Sequence, residues 1–404
     1  MTDEKDLQNN SISGSSSQKA APSDCMPLKD DKNDRLGWID AVRLLAMLIV
    51  CMNHAGLTIK GVNFWGGMFY VPVFFMISGF FWKRETLSIK DKLRSKIRRL
   101  ICPYILTNLI LISIFLVRDI IKSDFSQTFF RTFGFLYGRN QLFSDADTLF
   151  RNDWLLHMNS SGENTYFMTA LNSPTWFLPA LFLTIFSAEL LYVLVLHHMH
   201  SNHDSLDLKE RLCEHRVILG LCILLLLDVL WHYLTPLLLP WSMDALGFFT
   251  GFFIVGHLLG QWDGWKWLTS RRWIIVLLAI TLIPGGIING SANYSVGLYG
   301  KSVMLAFYNA MASCLIIMYL CYLASGHIPG FIIRAGRKTL PLLCWHFPLI
   351  SAMEAVRQII LPSADGILLS VCKAVEIAAA IALICIADDG LLKLKGRIDK
   401  NKAV

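Results

Sequence analysis

The chain has 404 residues, 54% of them hydrophobic and only 17% charged, with a mean hydropathy of +0.49. A soluble domain carries roughly 25% charged residues, so a water-soluble globular fold is excluded. The net charge of +7 is carried by Lys and Arg that sit between hydrophobic blocks. Orientation in a membrane accounts for such a pattern, and no nucleic-acid partner is implied.

Residues 1–34 are polar, Ser-rich and of mixed charge, without the apolar core of a signal peptide, and they read as a disordered tail. From residue 35 onward the apolar runs are about 20 residues long, the length that crosses a bilayer. They are continuous, not the alternating pattern of a membrane β-barrel. The expected fold is therefore an all-α polytopic bundle of about ten transmembrane helices, at 38–57, 66–82, 100–117, 175–196, 217–238, 245–261, 273–289, 302–323, 341–361 and 367–390. The bundle occupies 35–392, and 393–404 forms a basic tail.

Charge then alternates between the connections. KRETLSIKDKLRSKIRR before the third span, the loops holding Lys266, Arg271 and Arg272 and then Arg334, Arg337 and Lys338, and the C-terminal tail form a basic set. The opposite set carries only Lys60, Asp244, Lys301 and Asp365. The positive-inside rule puts the basic set, and with it both termini, in the cytoplasm of a cell whose plasma or inner membrane holds the protein. The long connection 118–174, rich in aromatics and mixed charge, falls outside and reads as functional, not idle. The ten cysteines are scattered singly and read as reduced packing residues.

The first span, RLGWIDAVRLLAMLIVCMNHAG, is the chemically unusual one. Ionisable groups are costly in lipid and usually mark a site. Asp40 and Arg43 are three apart and can pair on one face. His54 follows eleven residues after Arg43, about three helical turns, so it shares that face roughly 16 Å further along. A neutral imidazole placed there can act as a general base toward a hydroxyl or as a transient acyl carrier. The plainer alternative is an anchoring ion pair and a packed histidine.

Five motifs in order carry a resemblance: Asp40-x-x-Arg43 with ten residues to His54, then VPVFFMISGFF, KIRRLICPY, SPTWFLPALF and TLPLLCWHFPL. Together they resemble the acyltransferase-3 family of integral membrane acyltransferases, over about residues 35–390. The resemblance implies transfer of an acyl group, commonly acetyl, from cytoplasmic acyl-CoA to a hydroxyl of a surface glycan, glycolipid or related acceptor, with no tightly bound cofactor. It implies a catalytic set of His54, Arg43 and Asp40, and donor-binding roles for Ser78, Gly79, Lys96, Arg98, Arg99 and His346. The family's basic pair reads Arg-x-x-Arg, whereas the matching positions here read Lys96, Ile97, Arg98, Arg99, leaving either Lys96 or Arg98 for the first role. A Lys/Arg cluster suits the phosphates of coenzyme A, and also suits plain topology anchoring. Ser78 and Gly79 either let the backbone approach the pantetheine arm or serve helix packing.

His346 lies early in the ninth span and is expected in the cytoplasmic half. Glu354 and Arg357, three apart, either pair with each other or meet a polar acceptor, and Asp228 with His232 can form a polar pair. Trp176 is expected in an interfacial aromatic belt. The HHMHSNH segment at 197–203 reads as a solvated connector, not a metal site. A multi-span transporter or flippase is the competing class, because it too needs charged residues facing a cavity.

Overall fold

The computed structural model of the chain describes residues 36–83, 89–123, 126–139, 141–144, 172–199, 206–261 and 264–402. The polar tail, residues 145–171 and the side chains of 196–203 lie outside the described residues. The described helices belong to the unit from Gly37 onward.

The helices in chain order are α1 Gly37–His54, α2 Val62–Phe69, α3 Pro72–Phe80, α4 Ile89–Lys96, α5 Cys102–Lys122, α6 Ser126–Tyr137, α7 Phe177–Met199, α8 Leu206–Leu234 and α9 Leu246–Gly260. After these come α10 Gly264–Ser270, α11 Arg272–Asn289, α12 Val303–Leu323, α13 Gly330–Gly336, α14 Thr339–Ile360 and α15 Gly366–Lys402. Among the described residues the only β-pairings are the isolated bridges Phe143–Leu237 and Asn293–Leu298. Nine described helices are long and apolar enough to cross a membrane, or ten if α2 and α3, bent by 41°, are one broken span. The protein is a polytopic all-α membrane protein, as its composition demands.

The bend corrects the expected continuous span 66–82. Pro72 sits in the first turn of α3 and has no N–H to extend the α2 ladder, so the helix restarts there. A second irregularity is a π-turn at Ile97–Ile101 between α4 and α5, a local defect frequently found at functional sites.

Burial separates central from peripheral helices. The hydrophobic windows of α1 and of Pro240–Gly260 are 61% and 67% buried, against 17% for that of α8. Ile359 and Ile367, 81% and 85% exposed, face lipid, where a large bare apolar side chain costs nothing. Among the described residues α3 and α9 share the most extensive helix contact. A Cβ at Gly79 would collide with the Phe253 carbonyl, and one at Gly256 with that of Met76, so only glycine permits the approach. Gly256 and Gly260 form the small-xxx-small spacing that membrane helices use for such contacts.

One end of the bundle is tied by a fully buried arginine. Arg139 pairs bidentately with Asp244, and its other N–H groups donate to the Leu239 carbonyl at 3.3 Å and the Ser295 carbonyl at 3.2 Å. Asp244 also accepts the Leu239 N–H at 2.9 Å. Three connections, 138–144, 237–245 and 293–298, are thus held by one charge pair. Burial pushes the Tyr294 and Tyr299 phenols well above their ordinary range, so both stay neutral, and the Tyr294 hydroxyl donates to the Met68 carbonyl at 3.2 Å. Nearby, Asp228 and His232 take separate partners: Asp228 accepts the Phe248 N–H at 2.7 Å, while His232 packs edge-on to Tyr299.

Removing one member of a buried pair strands the other. Arg139→Leu is expected to cost about 3–5 kcal/mol. The loss would appear as a lowered thermal midpoint in detergent, with Arg139→Lys intermediate because it lacks the bidentate fork.

Candidate active site

The first span carries its polar groups as a line along one central helix. Asp40, with no exposed surface, accepts Arg43 Nη1 at 2.7 Å and Arg337 Nε at 3.2 Å. α13 approaches so closely here that a Cβ at Gly336 would strike the Asp40 carbonyl. The next residue, Lys338, pairs with Asp389 at 2.5 Å, so the start of α14 is clamped to both α1 and α15. Arg43 also lies over the Phe81 ring, 5.4 Å from its centroid.

Two chambers flank this line. At the basic end a cavity of about 310 Å³ is lined by Arg43, Ser78, Lys96, Arg99, Phe81 and Trp82, among others. Of the basic run, Lys96 and Arg99 line the chamber and Arg98 does not, although Arg98 and Arg99 are both exposed. Ser78 donates to the Phe74 carbonyl at 2.7 Å. Gly79 is no part of the lining, because its missing side chain makes room for α9. Trp82 is fixed by Glu189, which accepts its indole N–H at 2.9 Å and Lys92 Nζ at 3.1 Å.

The second chamber, about 460 Å³, is lined by His54, Asn53, Asn63, Tyr70, Ser173, Trp176, Asn293 and Ser295 with several apolar residues. Among the described residues His54 is its one ionisable base, and no carboxylate, Lys or Arg lines it. Asn63 donates to the Asn53 side chain at 2.7 Å and accepts the Ile59 N–H at 2.7 Å, which folds the α1–α2 turn over the site. Across from it, Asn289 donates to the Tyr299 carbonyl at 2.7 Å and accepts the Ser302 N–H at 2.9 Å, fixing the turn that carries Asn293 and Ser295. Gly297 closes that turn at φ 68, a left-handed conformation that favours glycine. Trp176 is 5% exposed and packs on Phe249, so it belongs to the chamber wall and not to an interfacial belt.

His346 corrects its expected depth. Its ring meets that of His54 at 5.4 Å between centroids, so it stands at the histidine chamber and away from the basic end. The Phe347 ring covers His54 from another side at 5.1 Å. His346 Nδ1 lies 2.7 Å from the Leu342 carbonyl, which can only accept, so Nδ1 carries the proton and Nε2 holds a bare lone pair. That Nε2 is buried without a hydrogen-bond partner among the described residues.

A proline explains how α14 is held here. Pro348 lies inside the helix and has no N–H for the carbonyl four residues back, that of Cys344. Asn172 replaces it, donating Nδ2 to the Cys344 carbonyl at 2.7 Å. Its own carbonyl accepts Thr175 Oγ1 at 2.7 Å, and Asn108 donates to Thr175 Oγ1 at 3.1 Å. The turn Ser173–Trp176 is thereby fastened to the helix that carries His346. Asn172, Asn63, Asn293 and Glu189 carry no sequence signal of their own, whereas Glu354 and Arg357 do pair, with Glu376 as a third member at 2.6 Å.

Fold and site define a polytopic membrane protein whose central helix links a cationic chamber to a histidine chamber. The family model described as an acyltransferase domain matches residues 36–386, nearly the whole chain, and the chain belongs to the acyltransferase-3 family of membrane acyltransferases. No curated protein and no solved structure matches it.

The Asn172–Pro348 relation is testable. Asn172→Leu leaves the Cys344 carbonyl bare and is expected to cost about 1–3 kcal/mol. Adding Pro348→Ala restores a backbone N–H to that carbonyl, so the double variant should recover more than half the loss in thermal-unfolding midpoints. Additive losses would show that the two residues are not linked.

Proposed function

We propose that the protein moves an acyl group, acetyl in the first instance, from acyl-CoA held at the basic chamber to a hydroxyl of a glycan or glycolipid in the histidine chamber. The observation that carries this reading is the composition of the two chambers. One offers Arg43, Lys96 and Arg99 beside aromatic rings; the other offers a single imidazole among amides, hydroxyls and Trp176. Guanidinium and ammonium groups are the natural partners of phosphate. Amides and aromatic faces without charge suit a neutral polyol better than a phosphate or carboxylate. The positive-inside pattern supports a cytoplasmic basic chamber, on the side where acyl-CoA is found.

In this reading the thioester enters past Ser78 and Arg43. His54 takes the proton of the acceptor hydroxyl as its oxygen attacks the thioester carbon. His346, with Nδ1–H committed to Leu342, keeps Nε2 to accept an N–H from the His54 ring and set its orientation. Arg43, held by Asp40, steadies negative charge developing on the donor side.

The test uses detergent-opened membranes from the native host, which hold the acceptor, and radiolabelled acetyl-CoA. Free CoA and labelled acceptor should appear together, and His54→Ala should reduce both by about 10²–10⁴-fold. Arg99→Ala should mainly raise the KM for acetyl-CoA, because it removes a phosphate contact and no reacting group. A transporter would consume no thioester, and label would stay on the donor.

A further inference from the structure

The two chambers share a wall. Phe74 from α3, Phe177 from the start of α7 and Leu343 from α14 each line both cavities. All three are buried, and none brings a polar side-chain atom. The Phe74 and Phe177 rings meet edge-on at 5.6 Å. Phe75 braces Phe177 from another side at 4.9 Å and is itself stacked on Phe249 of α9 at 4.2 Å. Leu343 lies three residues before His346, one helical turn from the histidine pair. The wall is therefore two rings braced against a glycine-packed helix pair, with one aliphatic side chain closing the gap.

We infer that Phe74, Phe177 and Leu343 form an acyl-length gauge through which a short acyl chain passes and longer chains, phosphates and water do not. The inference rests on the acyl-transfer reading above. In that reaction the hydroxyl proton goes to His54, a C–O bond forms at the thioester carbon, the C–S bond breaks, and the departing CoA sulfur receives the proton from His54. The carbonyl carbon has to reach the histidine side while the nucleotide stays on the basic side. The acyl group and the thioester sulfur cross the wall, the thiol end of the pantetheine arm fills the slot behind them, and the phosphates stay outside. An apolar slot offers nothing to replace the hydration of a phosphate or sugar hydroxyl, so those groups are refused. Among acyl chains the wall selects by volume, because each added methylene must displace close-packed rings. A dry wall also shields the thioester from hydrolysis while the acceptor is absent.

The experiment compares radiolabelled acetyl-CoA and butyryl-CoA as donors in opened native-host membranes containing wild-type protein, Leu343→Ala or Phe177→Leu. Retained CoA binding and a single gel-filtration peak of the purified variants verify folding. Wild type should favour acetyl, and each widened variant should raise the butyryl-to-acetyl ratio of kcat/KM by about tenfold or more. Leu343→Phe should act in the opposite sense and lower acetyl transfer. An unchanged ratio in Leu343→Ala and Phe177→Leu, with acetyl transfer intact in wild type, overturns the gauge and leaves acyl transfer standing. If wild type transfers neither group, the acyl-transfer reading fails and the gauge falls with it.

Discussion

A carboxylate with no exposed surface organises the basic end of this protein. Asp40 receives Arg43 from its own helix and Arg337 from the segment before α14. A lone charge in that position would be prohibitively costly, so the pairing dictates where both arginines stand and how near α13 must come. Gly336 permits the approach, and Lys338 extends the linkage to α15 through Asp389. Arg43 is thereby held at the chamber wall over Phe81, its charge available to a ligand while its geometry is set by the carboxylate behind it.

The opposite end is built by different means. There the walls are connections between helices, and a helix bundle has no repeating ladder to hold such segments in place. Single polar residues do it: Arg139 with Asp244, Asn289 with Tyr299 and Ser302, Asn172 with Cys344. Each satisfies backbone groups that would otherwise be stranded away from water. The chemistry follows from this division of labour. One mouth carries cations and the other amides, with little in common between them except the helix along which they are arrayed.

The span plan, the membrane class and the line from Asp40 to His54 were all legible in the residues, because helical periodicity and the cost of charge in lipid are local properties. The choice between Lys96 and Arg98 was left open by the residues, and only the chamber lining, which includes Lys96 and Arg99, separates them. The depth of His346 was not legible. It depends on how α14 is set against α1, which distant residues such as Asp40 and Arg337 decide. Trp176 misled for a related reason: aromatics at span ends usually meet the interface, but the turn fastened by Asn172 folds this one inward. The Phe74–Phe177–Leu343 wall has no periodic signature at all, because three apolar residues on three helices look like ordinary packing until the cavities on either side are seen.

The continuity of α1 has its own consequence. An α-helix is stiff and does not stretch, so the eleven-residue interval from Arg43 to His54 works as a fixed ruler between the two mouths. A single residue inserted between them would swing the imidazole by about 100° and lift it about 1.5 Å, out of phase with everything Asp40 holds in place. Gaps and insertions are therefore forbidden in this interval, and its buried residues, Leu44, Ala46, Met47, Ile49, Val50 and Cys51, leave little freedom for substitution either. Whatever spans the two mouths must adapt to the helix, because the helix keeps its length.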